Sequence, residues 1–207
     1  MIDGLNRNWT GRIWEDLARP LARTGITPNQ VTWIGLALVA CNCALFYAHG
    51  NTLLFGVGLA FAFAFDALDG AVARLQGTSS KYGGYLDGVA DRYQEITVYL
   101  VIAVATGWWP ECFLALSGSL MVSYNKARTA IEIPIVNHSW PDLLERFERI
   151  VILCSALIAD SLIVLPDFLG GRVLYIGILV IAVLSHVTAV QRFLRARALL
   201  MSSERKD

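Results

Sequence analysis

Charge is what this chain has least of. Among 207 residues, 17 are Lys or Arg and 17 are Asp or Glu, 16% together, against ~25% in an average soluble protein. The two signs cancel, so net charge names no partner, and no basic surplus points to nucleic acid. Cysteine carries no framework either. Cys41, Cys43, Cys112 and Cys154 lie singly or as C-x-C inside apolar runs, with no metal-ligand spacing, and read as packing residues. His49, His138 and His186 are isolated and read as interfacial or packing residues. No repeat or low-complexity tract is visible. Met1 to Arg23 has no apolar h-region, so no cleaved signal peptide is expected. What the chain has in excess is hydrophobic residues, 56%, with a mean hydropathy of +0.53. This excludes a disordered chain, a coiled coil and an ordinary water-soluble enzyme, and implies a polytopic membrane protein.

Six segments approach the ~20 mostly apolar residues that a bilayer span needs: 31–49, 52–75, 84–108, 111–131, 149–166 and 172–194. The expected fold is an all-α integral membrane protein forming one domain over 1–207. Residues 1–27 form an interfacial amphipathic helix and linker, and residues 28–207 form a bundle of six transmembrane helices. In the N-terminal helix, Ile13, Trp14, Leu17 and Leu21 share one stripe, and Trp9 and Trp14 suit an interface. Thr27-Pro28-Asn29 breaks that helix before the first span. The N-terminal region, the second and fourth connections and the C-terminal region hold nearly all the Lys and Arg, and the opposite side has only Arg172. The bias places both termini and the basic connections on the cytoplasmic side of the cytoplasmic membrane.

The carboxylates gather around the second connection. On a helix, Asp66, Asp69 and Ala73 share a face; Gly83, Asp87 and Asp91 form a matching stripe, continued by Glu95. Two antiparallel helices would turn four carboxylates toward one another inside the bilayer. One Asp near a helix centre costs ~2.5–3.5 kcal/mol on the insertion scale, so four cost on the order of 10 kcal/mol before repulsion is added. Two divalent cations offset that charge, and carboxylate-only ligation selects hard ions such as Mg²⁺ or Mn²⁺. Neutralisation by Arg74 and Arg92 or by protonation is one competing reading. The ion or proton relay of a transporter is another. Gly70, Ala73, Gly83, Gly84 and Gly88 clear bulk from the facing surfaces.

The spacing D-x2-D-G-x2-A-R-x8-G-x3-D-x3-D is met in full by Asp66, Asp69, Gly70, Ala73, Arg74, Gly83, Asp87 and Asp91. In this the chain resembles the CDP-alcohol phosphotransferases. The resemblance implies transfer of a phosphatidyl-type group from a CDP-linked lipid, CDP-diacylglycerol or CDP-archaeol, to an alcohol with release of CMP. It implies that Asp66, Asp69, Asp87 and Asp91 hold two metal ions bridging the diphosphate, and that Asp91 is the base for the attacking hydroxyl. It further implies that Asn29, Thr32, Gly70, Ala73, Arg74 and Ser80, with Asp66, Asp69 and Asp87, shape the nucleotide site. A homodimer among membrane lipids follows from the same resemblance.

Three later patches bear on the acceptor. Ser123-Tyr124-Asn125-Lys126-Ala127-Arg128, Glu145-Arg146-Phe147-Glu148-Arg149 and Val190-Gln191-Arg192 each put cations at one end of a helix, on the side of the aspartates. Arg forks match phosphate geometry and Lys adds a mobile charge. The patches resemble those of the phosphatidylinositol phosphate synthase branch, which implies inositol 1-phosphate as acceptor, gripped by Lys126, Arg128, Arg149 and Arg192 with Arg146. The branch usually continues A-R-A-E, whereas this chain reads Ala127-Arg128-Thr129-Ala130. Glycerol 3-phosphate, inositol or serine are the alternative acceptors of the same reaction. A divalent-cation or proton-coupled transporter is the alternative of another class.

Overall fold

A computed structural model describes residues 7–133, 142–166 and 171–204. They fold into eight helices: α1 Arg7–Arg23, α2 Pro28–His49, α3 Thr52–Asp66, α4 Leu68–Gln76, α5 Lys81–Thr106, α6 Trp109–Glu132, α7 Arg146–Asp160 and α8 Val173–Glu204. An isolated bridge between Val164 and Arg172 is the only β-type pairing among the described residues. Among the described residues, three stretches, Pro28–His49, Thr52–Gln76 and Val173–Ser203, are long and apolar enough to cross a membrane.

Local chemistry sets the ends. Thr27 accepts from the Gln30 N–H while its own N–H bonds Gln30 Oε1 at 2.9 Å, and Pro28 opens the helix where no donor is needed. Asn51 accepts from Leu54 N at 3.0 Å, Ser80 accepts from Gly83 N at 3.0 Å, and Glu145 and Glu148 cap α7 reciprocally. Gly50 and Gly107 end α2 and α5 at φ 64° and 80°, a left-handed conformation that a side chain would strain.

One expectation is corrected here. Asp66 and Asp69 do not lie along one continuous helix. The chain turns at Ala67 (φ −60°, ψ −9°), whose N–H still bonds Phe63 O, so Asp66 ends α3 and Asp69 begins α4.

The main core joins α2, α3, α5, α6, α7 and α8 around Phe55, Leu59, Ile102, Leu157, Leu174, Ile178 and Ile181. Phe46 and Phe55 stack at 4.2 Å. Lipid is as apolar as these side chains, so close packing rather than water exclusion holds such helices together. Small residues permit it. A Cβ on Gly118 of α6 would stand 2.9 Å from Ser185 Cβ of α8, and one on Gly56 of α3 would stand 2.9 Å from Leu157 Cβ of α7. Large apolar side chains such as Trp33, Leu45, Phe61, Leu100, Phe113 and Phe193 point outward instead, as on a membrane-facing surface.

A second cluster seats α1. Ala18, Val31, Ala71 and Val72 are buried together, with Trp14, Leu21 and Ile26 against them. The expected apolar stripe therefore divides: Trp14 and Leu21 face protein, while Ile13 and Leu17 are exposed. Cys43, Cys112 and Cys154 sit in the main core as free thiols, in keeping with a packing role. His138, Arg205 and Lys206 lie outside the described residues.

Candidate active site: a carboxylate wall between two cavities

Asp66, at the end of α3, meets Asp87 and Asp91 from the first turns of α5, with carboxylate oxygens within 4.8 Å of one another. Asp66 and Asp91 are buried and Asp87 is half-buried. Asp66 Oδ1 has no hydrogen-bond partner. That oxygen has room only because residue 35 is glycine: a Cβ there would stand 2.5 Å from it. Asp69 is not part of the tight trio. It is held by Thr32, whose hydroxyl donates to its Oδ2 at 2.7 Å, and it accepts from the Gly70 N–H.

Two cavities flank these carboxylates. The smaller, about 410 Å³, is lined by Asn29, Thr32, Asp69, Gly70, Ala73, Arg74, Ser80, Gly83, Gly84 and Asp87. Each nucleotide-site residue expected from the sequence other than Asp66 is in that lining. Arg74 is half exposed and lies 3.6 Å from Glu15 of α1, a pairing that water weakens.

The larger cavity, about 1070 Å³, is lined by Asp91, Lys126, Arg146, Arg149 and Arg192 on its polar side. Ala60, Phe63, Ile150, Val151 and Ile158, from α3 and α7, make its apolar side, and Trp14 reaches it from α1. Gly84 lines both cavities. Asp87 thus borders one space and Asp91 the other, a single helical turn apart.

The basic residues are anchored differently. Arg146 Nη2 lies 2.7 Å from Asp91 Oδ1 and 3.5 Å from Asp66 Oδ2, and donates to Gln94 Oε1 at 2.6 Å. Arg149 pairs with Glu95 at 2.8 Å. Arg192 donates to Val122 O and to Asp142, whose other oxygen lies 3.5 Å from Arg195. Burial and the nearby Asp142 push the Glu145 carboxyl above its usual range, and Lys126 opposes the shift. Arg146 Nε, Arg149 Nε and Nη1, and Arg192 Nε are buried without a partner. A buried guanidinium donor left unpaired is costly, and an anionic oxygen satisfies it well. Arg128 stands apart: it is half exposed, pairs with Glu132 at 2.5 Å, and is not in the cavity lining.

Sequence reasoning did not single out Gly35, Gln94 or Asp142 as site residues. Gly35 and Gln94 belong to helical patterns that read as packing, and Asp142 lies in a connection with no motif. Only a three-dimensional neighbour reveals each of them.

Residues 25–199 match the family described as CDP-alcohol phosphatidyltransferase. The chain belongs to this family. Among curated relatives, the archaetidylinositol phosphate synthase of Pyrococcus horikoshii is 36% identical over 184 residues, covering 88% of this chain and 90% of the relative. The phosphatidylinositol phosphate synthase of Mycobacteroides abscessus is 31% identical over 199 residues, covering 91% of this chain and 85% of the relative. The crystal structure of Mycobacterium tuberculosis phosphatidylinositol phosphate synthase with CDP-DAG bound superposes with a TM-score of 0.73, at 28% identity, over 89% of this chain and 94% of that one. The structure of the same enzyme with manganese and citrate gives a TM-score of 0.73 at 26% identity, over 88% of both chains. Membership of the CDP-alcohol phosphatidyltransferase family makes this chain a membrane phospholipid transferase and sets the transporter reading aside. The carboxylates at the opposite end of the bundle are also locally engaged: Asp160 pairs with Arg172, and Glu111 accepts from Tyr175.

Proposed function

We propose that this protein transfers a phosphatidyl or archaetidyl group from a CDP-linked lipid to inositol 1-phosphate, forming a phosphatidylinositol-phosphate-type lipid and CMP. The observation that carries the reading is the set of carboxylates shared between two cavities, Asp87 lining a small polar one and Asp91 a larger one with Lys126, Arg146, Arg149 and Arg192. The names of the relatives agree with it.

The donor set fits hard divalent cations. It is all oxygen, partly buried, and leaves Asp66 Oδ1 unsatisfied. Asp66, Asp87 and Asp91, with Asp69 beside them, hold two Mg²⁺ or Mn²⁺ ions. When bound, these neutralise diphosphate charge and stabilise the CMP leaving group.

The chain's own residues do the rest. Asn29, Thr32, Gly70, Ala73, Arg74 and Ser80 seat the nucleotide, while Thr32 keeps Asp69 oriented. The apolar side of the large cavity, between α3 and α7, receives the lipid tails. Arg149, Arg192, Lys126 and Arg146 grip the acceptor phosphate and hold the inositol hydroxyl at Asp91. Asp91 takes the hydroxyl proton as the oxygen attacks phosphorus. Arg128, being outside the cavity, anchors headgroups instead.

In the same reading six helical spans cross the cytoplasmic membrane. These are α2, α3 with α4, α5, α6, α7 and α8. α1 lies at the interface with Ile13 and Leu17 toward lipid. Both termini and the site face the cytoplasm, and two copies form a homodimer.

The test is CMP release by the purified full chain with Mg²⁺ or Mn²⁺, each CDP-lipid, and one acceptor at a time. Release with inositol 1-phosphate is expected. Release only with glycerol 3-phosphate, inositol or serine overturns the acceptor assignment and leaves the reaction class.

A further inference from the structure

Glu95 lies one helical turn beyond Asp91 on α5, buried, and outside the linings of both cavities already described. Its two oxygens do different things. Oε1 accepts from Arg149 Nη2 at 2.8 Å. Oε2 accepts from Arg92 Nη1 at 3.2 Å. Arg92 in turn donates to Ser123 Oγ on α6, and its Nη2 lies 3.5 Å from Asp91 Oδ2. One carboxylate therefore joins the reacting end of α5 to α7 through Arg149, and through Arg92 to α6.

Arg149 is itself 3% exposed, and the carboxylate holds it by Nη2 alone. Nε and Nη1 have no partner, and the residue lines the large cavity. A guanidinium is planar, with five donors in a fixed fork. Anchoring one corner with a buried, charged acceptor restricts where the guanidinium can lie before any ligand arrives.

We infer that Glu95 is a positioning residue: it sets Arg149 for the phosphate of the acceptor and ties that arginine, through Arg92, to Asp91. The inference rests on the acceptor site proposed above. Glu95 touches no substrate and exchanges no proton in this role. Its effect passes through Arg149, so it should vanish when Arg149 is gone.

The experiment is a thermodynamic cycle on the detergent-purified full chain loaded with Mn²⁺. It compares the native chain, Glu95→Gln, Arg149→Ala and the double variant. Binding of inorganic phosphate and of inositol 1-phosphate is read by titration calorimetry, and Mn²⁺ affinity is measured in parallel. Glu95→Gln should weaken binding of both anions at least tenfold while Mn²⁺ affinity stays within twofold. In the Arg149→Ala background, Glu95→Gln should weaken it no further. Anion affinity in Glu95→Gln within twofold of the native chain overturns the assignment. Effects of the two substitutions that multiply independently overturn it too, because a general loss of packing would give that pattern. Should Glu95→Gln fail to fold, Glu95→Asp carries the same cycle, since it keeps the charge and withdraws it by one methylene. A native chain that binds both anions with the coupling intact, yet releases no CMP with inositol 1-phosphate, removes the proposed function and leaves Glu95 assigned. A native chain that binds neither anion overturns both.

Discussion

Asp91 borders the large cavity with Arg146 against it, and the proposed chemistry gives it the acceptor proton. Asp91→Asn should abolish CMP release while CDP-lipid binding persists; substantial turnover in that variant removes Asp91 as the base. Gly35 offers a sharper test of geometry, because an added methyl group would press on Asp66 Oδ1 from 2.5 Å. Gly35→Ala should weaken Mn²⁺ binding and lower kcat tenfold or more without unfolding the bundle, as read by Mn²⁺ titration beside a melting curve. Arg192→Ala should raise the acceptor KM far more than the CDP-lipid KM, since Asp142 and Val122 O hold Arg192 at the large cavity, where the proposed function seats the acceptor phosphate. At this scale the sequence was most informative about carboxylates and least about what surrounds them. Eight motif positions at fixed spacing mark Asp66, Asp69, Asp87 and Asp91 without a structure. The partition of the four into a tight trio plus a Thr32-bound Asp69 depends on the turn at Ala67, which no periodicity signals.

The elements were legible because apolar runs, prolines and caps agree about them. Thr27-Pro28-Asn29 marks the break just before α2, whereas α5 begins at Lys81, ahead of the expected segment, because Ser80 caps it. The lengths were less so. α8 runs on to Glu204 through Arg192, Arg195 and Arg197, where hydropathy alone would end a span. The seating of α1 was only half visible, since its stripe reads as lipid-facing although Trp14, Ala18 and Leu21 pack on protein. Gln76 secures that seat by donating to Ala22 O and Ile26 O at 3.2 and 2.9 Å. Two such bonds contribute about 1–3 kcal/mol together. Gln76→Leu should therefore loosen α1 and speed tryptic cleavage after Arg23, followed by mass spectrometry. Cleavage at the native rate would show that the apolar cluster alone holds the helix.

Across the whole molecule, one end is charged and the other is closed by a small polar clasp. Arg172 pairs with Asp160 and lies 5.4 Å from the Trp108 ring centre, and Trp108 meets Tyr175 edge-on at 5.0 Å. The charge bias predicts a topology that can be measured. In a cysteine-free background, a cysteine at Ser203 should react with an impermeant maleimide only from the cytoplasmic side, and one at Asn51 only from the opposite side. The reverse pattern would invert the proposed orientation. The carboxylate cluster, with Asp87 lining one cavity and Asp91 the other, has a stereochemical consequence. In the proposed reading the nucleotide sits in the small cavity and the acceptor in the large one, so both substrates can be present together and need no covalent stopover on the enzyme. The displacement is then single. A CDP-lipid made chiral by sulfur at the reacting phosphorus should yield a product of inverted configuration.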